Sequence, residues 1–303
     1  MVEKQDLLVR AAVLVAIALA ATVAAQGPAP AAAAPATPAV TVTTPAGEPT
    51  TAEEAGLQKK YGDKVKLDAY RAYRTLVDGL PPEQQAWERV LEDQLGGFYF
   101  PLYLNARLKP GFKPETCEWG FIKDDPALPR VLLIGDSISR SYTVDVRKAL
   151  AGKVNVHRAP TNCGPTDTGL KCMDVWLDQG AGKWDIIHFN FGIHDRRKTP
   201  EQYAANLEKV VERLKQTGAK LVWARTTPFG EKVAEGQDES VPLNRVADEV
   251  MKKHDIPMDD LHAAVIDKLA SVQGNDHTHF NADGIKLMAE QVVKAVEPCL
   301  AKP

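Results

Sequence analysis

The chain has 303 residues, of which 44% are hydrophobic and 25% charged, with 37 Lys and Arg against 40 Asp and Glu. A formal charge of −3 and no long basic run exclude the electrostatic footprint of a nucleic-acid binder. The length allows one large domain or two smaller ones.

Arg10 is followed by an Ala- and Val-rich run over residues 11–25. About 15 apolar residues fit the hydrophobic region of a signal peptide and are short for a membrane span. Ala24 and Ala25 suit cleavage, although Glu3 and Asp6 offset Lys4 and Arg10. Residues 1–25 therefore read as a signal peptide. They imply export to a periplasmic or extracellular space and no stable membrane insertion after cleavage. A retained N-terminal membrane anchor is the alternative. No cysteine follows the apolar run, which argues against a lipoprotein.

Residues 26–52 are Ala, Pro and Thr with almost no charge, the composition of a spacer. The four cysteines are Cys117, Cys163, Cys172 and Cys299. In an exported protein they permit two disulfides in any of three pairings. Cys163 and Cys172 are near enough in sequence to close a small loop. No Cys-x-x-Cys occurs, so a structural zinc site is not expected.

Residues 53–128 read as a helical N-terminal extension. Leu67, Tyr70, Tyr73 and Leu76 recur at helical spacing. A second helix opens at Pro81-Pro82-Glu83 and carries Trp87, Val90, Leu91 and Leu95. The aromatic stretch Phe98-Tyr99-Phe100-Pro101 is expected to pack this extension onto the main domain.

From residue 129 to 303 strands and helices alternate. Strands are predicted at 131–134, 154–157, 184–191, 221–226 and 256–258. Helices are predicted at 144–150, 200–214, 243–254, 261–269 and 284–296. Residues 230–240, polar and Gly-containing, read as a mobile surface loop. Five strands with intervening helices predict an α/β protein with a doubly wound, five-stranded parallel sheet.

In such sheets ligands sit outside the carboxyl ends of the strands. Asp136-Ser137 follows the first strand, and Asn162-Cys163-Gly164-Pro165-Thr166 the second. Gly192-Ile193-His194-Asp195 follows the third, and Arg225-Thr226-Thr227 the fourth. Asp276-His277-Thr278-His279-Phe280-Asn281 lies beyond the fifth. Chance would scatter such chemically capable residues over both ends of the sheet.

These blocks resemble the SGNH (GDSL-type) family of serine ester hydrolases. Gly135-Asp136-Ser137-Ile138 matches the first family block, and Cys163-Gly164-Pro165-Thr166 the glycine block. Asp276-His277-Thr278-His279-Phe280 matches the last, with Asn281-Ala282-Asp283-Gly284 continuing it. The resemblance covers residues 130–298 and implies a flavodoxin-like sheet. One block departs: where the family has Gly-x-Asn-Asp, this chain has Gly192-Ile193-His194-Asp195.

The resemblance implies a triad of Ser137, His279 and Asp276, with Ser137 attacking an ester carbonyl and an acyl-enzyme following. It also implies an oxyanion hole from the Ser137 and Gly164 N–H groups. His194 stands where an asparagine would donate, and an imidazole can replace that N–H with a pH dependence an amide lacks. Alternatively His194 only packs, and Asn190 or Asn162 donates. The block favours His279 over His277 as base. His157, His188, His254 and His262 read as structural. No cofactor and no metal are expected, since no His-Glu-x-x-His accompanies His277 and His279.

Arg140, Arg196, Arg197 and Arg225 follow strand ends, and one or two of them, Arg140, Arg196 and Arg225 foremost, are candidates for an anionic group on the substrate. Pairing with Asp145, Asp167 or Asp195 is the alternative. The expected substrate is a small ester or an acetylated polysaccharide, and the expected enzyme a secreted carbohydrate O-acetylesterase or related short-chain esterase. A weak or inactive glycan-binding envelope module on the same fold is the alternative from another class.

Overall fold

The computed structural model describes residues 51–179 and 182–300. The proposed signal peptide and nearly all of the spacer lie outside the described residues. The described residues form one compact unit.

The main layer is a parallel sheet in the order β2-β1-β3-β4-β5. Its strands are β1 (Arg130–Ile134), β2 (Asn155–Arg158), β3 (Ile186–Phe189), β4 (Lys220–Ala224) and β5 (Met258–Asp259). Every residue of β1 is buried, because helices cover both faces of the sheet. Its register pairs Val131 with Val156 on one side and with Ile186 on the other. The chain thus leaves β1 for β2 and then crosses back to β3. That reversal opens the crevice in which such sheets hold ligands.

The extension comprises α1 (Ala52–Tyr61), α2 (Leu67–Asp78), α3 (Pro82–Gln94) and α4 (Gly96–Arg107). It has a hydrophobic cluster of its own, built on Tyr73, Leu91, Phe100 and Tyr103. Buried Glu88 is satisfied inside it by the Tyr73 and Tyr103 hydroxyls and by Arg107 Nε at 2.8 Å. The aromatic stretch therefore serves mainly this second core. Phe100 stacks on Tyr61, and Phe98 is exposed. Only Tyr99 turns toward the sheet domain, meeting Trp119 and the guanidinium of Arg140.

Around the sheet lie α5 (Ser137–Ala149), α6 (Thr166–Leu177), α7 (Pro200–Lys215), α8 (Ser240–Lys253), α9 (Leu261–Ile266), α10 (Leu269–Val272) and α11 (Ala282–Val296). Two differences from expectation matter. The helix predicted from residue 144 begins at Ser137, capped by Asp136. The helix α6 was not anticipated, because Gly169 and a polar opening mask its period. The loop over 230–240 contains a short 3-10 turn, Val233–Glu235. Asp238 ties it down by accepting from Ser240 N at 2.8 Å and meeting His262 at 2.7 Å.

All four cysteines are free, so none of the permitted pairings is formed. Cys163 is buried in the main core just before α6. Cys172 sits six residues above the first residue of that helix, about 9 Å along its axis. Among the described residues no helix is long and apolar enough to cross a membrane.

Candidate active site

The helices α5 and α11 pack side by side. This brings the start of α11 and the loop before it next to the start of α5. Asp136 caps α5, its Oδ1 accepting from Ile138 N at 2.9 Å. Ser137 is the first helical residue, so its own N–H has no partner within the helix. Its Oγ lies 2.8 Å from Nε2 of His279, three residues ahead of α11.

On the far side of the ring, His279 Nδ1 is 2.6 Å from Asp276 Oδ2. A carboxylate only accepts, so this contact places the proton on Nδ1 and leaves Nε2 free to accept from the Ser137 hydroxyl. Asp276 Oδ1 also accepts the main-chain N–H groups of His279 at 2.9 Å and Thr278 at 3.2 Å. The hydrogen bond from the His279 ring, followed by these amides, holds the Asp276 carboxyl down to about 2. The loop is closed by Gly274 N–H donating to the His279 carbonyl at 2.7 Å. His277 takes a left-handed backbone at φ 54, and its carbonyl accepts from Gly230 N.

The glycine turn approaches from β2. Cys163 N–H donates to the Gly135 carbonyl at 3.2 Å, which seats Gly164 beside the serine turn. Gly164 has φ +65, a conformation that a side chain would strain. Thr166 gives both its N–H (2.9 Å) and its hydroxyl (2.6 Å) to buried Asp195. That pair fastens the glycine turn to the 3-10 turn Ile193–Asp195, which carries His194. His194 Nε2 is 3.8 Å from Asp136 Oδ2, beyond hydrogen-bond range, and its side chain is 39% exposed. Asn190 spends its amide on Ala224 O at 2.7 Å and Thr226 Oγ1 at 3.2 Å. Asn162 has a buried amide oxygen without a partner.

The sequence profile described as "GDSL-like Lipase/Acylhydrolase family" matches residues 133–287, from β1 into α11. The chain belongs to the GDSL-like lipase/acylhydrolase family. It is an SGNH-type ester hydrolase. No curated protein matches the sequence. Similar solved structures include the acetyl xylan esterase AlAXEase, at 14% identity, with 55% of this chain and 99% of that one covered and a TM-score of 0.49. A lipase/acylhydrolase from Enterococcus faecalis has 21% identity, coverage of 56% and 96%, and a TM-score of 0.47. A variant of Axe2, an acetyl xylan esterase from Geobacillus stearothermophilus, has 16% identity, coverage of 56% and 94%, and a TM-score of 0.48.

In this GDSL-family hydrolase three of the strand-end arginines have distinct surroundings. Arg140 pairs with Glu118 at 3.0 Å and lies against the Tyr99 and Trp119 rings. Arg225 is held by Asp260 at 2.7 Å and Asp248 at 3.2 Å. Arg196 is exposed and reaches only the Ile193 carbonyl, at 3.4 Å. None of the three meets the aspartates expected from sequence, since Asp145 pairs with Lys148, Asp167 with Lys198, and Asp195 with Thr166. His157, His188, His254 and His262 each meet a carboxylate: Asp124, Asp259, Glu208 and Asp238.

Sequence reasoning overlooked Arg158, the last residue of β2. Its buried guanidinium donates to the carbonyls of Gly135, Asp136 and Thr161 at 3.0, 2.7 and 2.8 Å. It thereby clamps the serine turn to the glycine turn. The available signal was a lone charge closing a short strand of a buried sheet.

Proposed function

We propose that this ester hydrolase is exported and removes acetyl or other short acyl groups from carbohydrates, with Ser137 as nucleophile, His279 as base and Asp276 as its orienting acid. The observation that carries this reading is the relay of 2.8 Å from Ser137 Oγ to His279 Nε2 and 2.6 Å from His279 Nδ1 to Asp276.

His279 takes the hydroxyl proton as Ser137 Oγ bonds to the ester carbon. The carbonyl oxygen becomes an oxyanion, for which the N–H groups of Ser137 and Gly164 and the ring of His194 are the proposed donors. Collapse breaks the bond to the alcohol oxygen, which takes the proton from His279. Water then gives a proton to the same nitrogen as its oxygen adds to the acyl carbon; the bond from that carbon to Ser137 Oγ breaks, Oγ takes the proton back from His279, and the acid leaves.

The His279 and Asp276 side chains are 49% and 54% exposed, so the relay lies at an open rim with room for a bulky alcohol. Arg196 and Arg197, exposed and without a carboxylate partner among the described residues, are the strand-end cations left to meet an acidic glycan. Export rests on the sequence of residues 1–25 alone.

Hydrolysis of nitrophenyl acetate and labelling by a fluorophosphonate test the assignment. Both should vanish in Ser137→Ala, and labelling should fail in His279→Ala. Hydrolysis that persists in Ser137→Ala sinks it. Acetate release from a panel of acetylated polysaccharides tests the substrate class. N-terminal sequencing of the mature protein tests export.

A further inference from the structure

A cavity of about 360 Å³ lies between α3, the segment 120–124 and the edge strand β2. Its lining includes none of Ser137, Gly164, His194, Asp276 or His279. The volume falls in the range of small-molecule sites. One wall is apolar and consists of Trp87, Val90, Phe121 and Ile122. The other carries Arg147 and Arg158.

Neither of these two guanidiniums has a carboxylate in contact; the charge of Glu118, itself paired with Arg140 at 3.0 Å, acts on both from farther off. Neither forms an ion pair among the described residues. Arg147 donates only to the carbonyls of Val156, Cys117 and Glu118, at 3.1, 2.6 and 2.9 Å. Each of its terminal nitrogens therefore keeps an unspent N–H. Arg158 Nε is buried and has no partner. Burial pushes the Arg147 pKa down to about 10, and the nearby charge of Arg158 pushes it the same way. The carboxylate close at hand, Asp124, is already shared between Arg130 at 2.8 Å and His157 at 2.5 Å. Glu83 and Asp178 also line the cavity, but both are exposed at its rim. Two like charges taken out of water with no carboxylate in contact are costly, and a bound anion would offset that cost.

We propose that this cavity binds a small organic monocarboxylate with an apolar body. The carboxylate lies between Arg147 and Arg158, and the aryl or alkyl part packs on Trp87, Val90, Phe121 and Ile122. Few N–H groups remain unspent, which suits a monoanion, and the apolar wall selects against inorganic anions. The site needs no contact with Ser137 itself, although Arg158 ties its floor to the turn before that residue.

Calorimetry on the full chain tests this with phenylacetate as the probe and phenylacetamide as its uncharged counterpart. Phenylacetate should bind at one saturable site, equally in the native protein and in Ser137→Ala. Phenylacetamide should bind at least about tenfold more weakly. Val90→Trp should weaken phenylacetate at least about tenfold while leaving the thermal midpoint and nitrophenyl acetate hydrolysis unchanged. Should that variant unfold, Ala86→Trp, at an exposed position on the same wall, blocks the cavity instead. The proposal falls if no saturable binding occurs, if the amide binds as tightly, if Ser137→Ala abolishes binding, or if the folded filling variant binds normally.

Discussion

Arg158 Nη2 donates to the main-chain carbonyl of Asp136 at 2.7 Å, one peptide ahead of Ser137. The same nitrogen reaches the Gly135 carbonyl at 3.0 Å, while Nη1 holds Thr161 at 2.8 Å. A neutral side chain would leave these buried carbonyls without donors. Arg158→Met is therefore expected to lose about 3 kcal/mol of stability. As Arg158 acts through the backbone of the turn that carries the proposed nucleophile, kcat should fall more than KM rises. Arg158→Lys, which keeps the charge and part of the donor set, should recover part of both. Denaturant melts and steady-state kinetics on both variants check this; an Arg158→Met enzyme with native kcat would remove the positioning role.

The depressed carboxyl of Asp276 has a consequence at low pH. It binds its proton only near about 2 in the folded protein, against about 3.9 for a free aspartate. The folded state thus favours the ionised form. Its contribution is complete above about pH 4 and is lost as pH falls toward 2. The group is half exposed, so solvent screening keeps the effect below about 1 kcal/mol. Urea midpoints of the native chain should drop between about pH 4 and pH 2 more steeply than those of Asp276→Asn. Parallel curves would contradict the assignment. At neutral pH the same variant should lose about 10²- to 10⁴-fold in kcat, because His279 loses the acceptor that fixes its tautomer.

The sheet was readable because parallel strands covered on both faces leave unbroken apolar runs, as in Val131-Leu132-Leu133-Ile134. Ser137, Asp276 and His279 were nameable because short blocks carry them at a strand end and ahead of a helix. Their approach could not be seen, since it depends on α5 packing against α11 across 142 residues of sequence. The start of α5 was hidden by Ser137, Ser139 and Ser141, whose hydroxyls give no periodic apolar signal. Glu88 illustrates a second limit. A carboxylate in a helix reads as a solvated face, yet it is buried because Tyr73 and Tyr103 stand 15 residues to either side to satisfy it. Arg158 escaped notice for the same reason: its partners are carbonyls, which no sequence pattern marks.

The thiols give a direct chemical check on the unpaired cysteines. Burial pushes Cys163 up to about 12 and Cys117 up to about 11. At pH 8 a thiol of pKa about 12 is ionised in only about one molecule in 10⁴, and only the thiolate reacts. Iodoacetamide on the native protein should therefore spare Cys117 and Cys163 and modify the partly buried Cys172 and Cys299 first. After denaturation without reductant, all four should be alkylated. Mass spectrometry reads both results, and two unmodified cysteines in the denatured sample would mean a disulfide.

The third oxyanion donor is decided by two substitutions. Asn190 is excluded from that role by its own bonds to Ala224 and Thr226. His194 and Asn162 remain, one on the turn fixed by Asp195 and one beside Gly164. Loss of one such donor costs about 3 kcal/mol of barrier, or roughly 10²-fold in kcat, with KM little changed. His194→Ala is expected to show that loss and His194→Asn to restore most of the rate, because an amide N–H can occupy the same direction. Asn162→Ala should then keep near-native kcat. The reverse pattern, a native rate in His194→Ala and the loss in Asn162→Ala, would move the donor to the glycine turn and leave His194 a bystander on the rim.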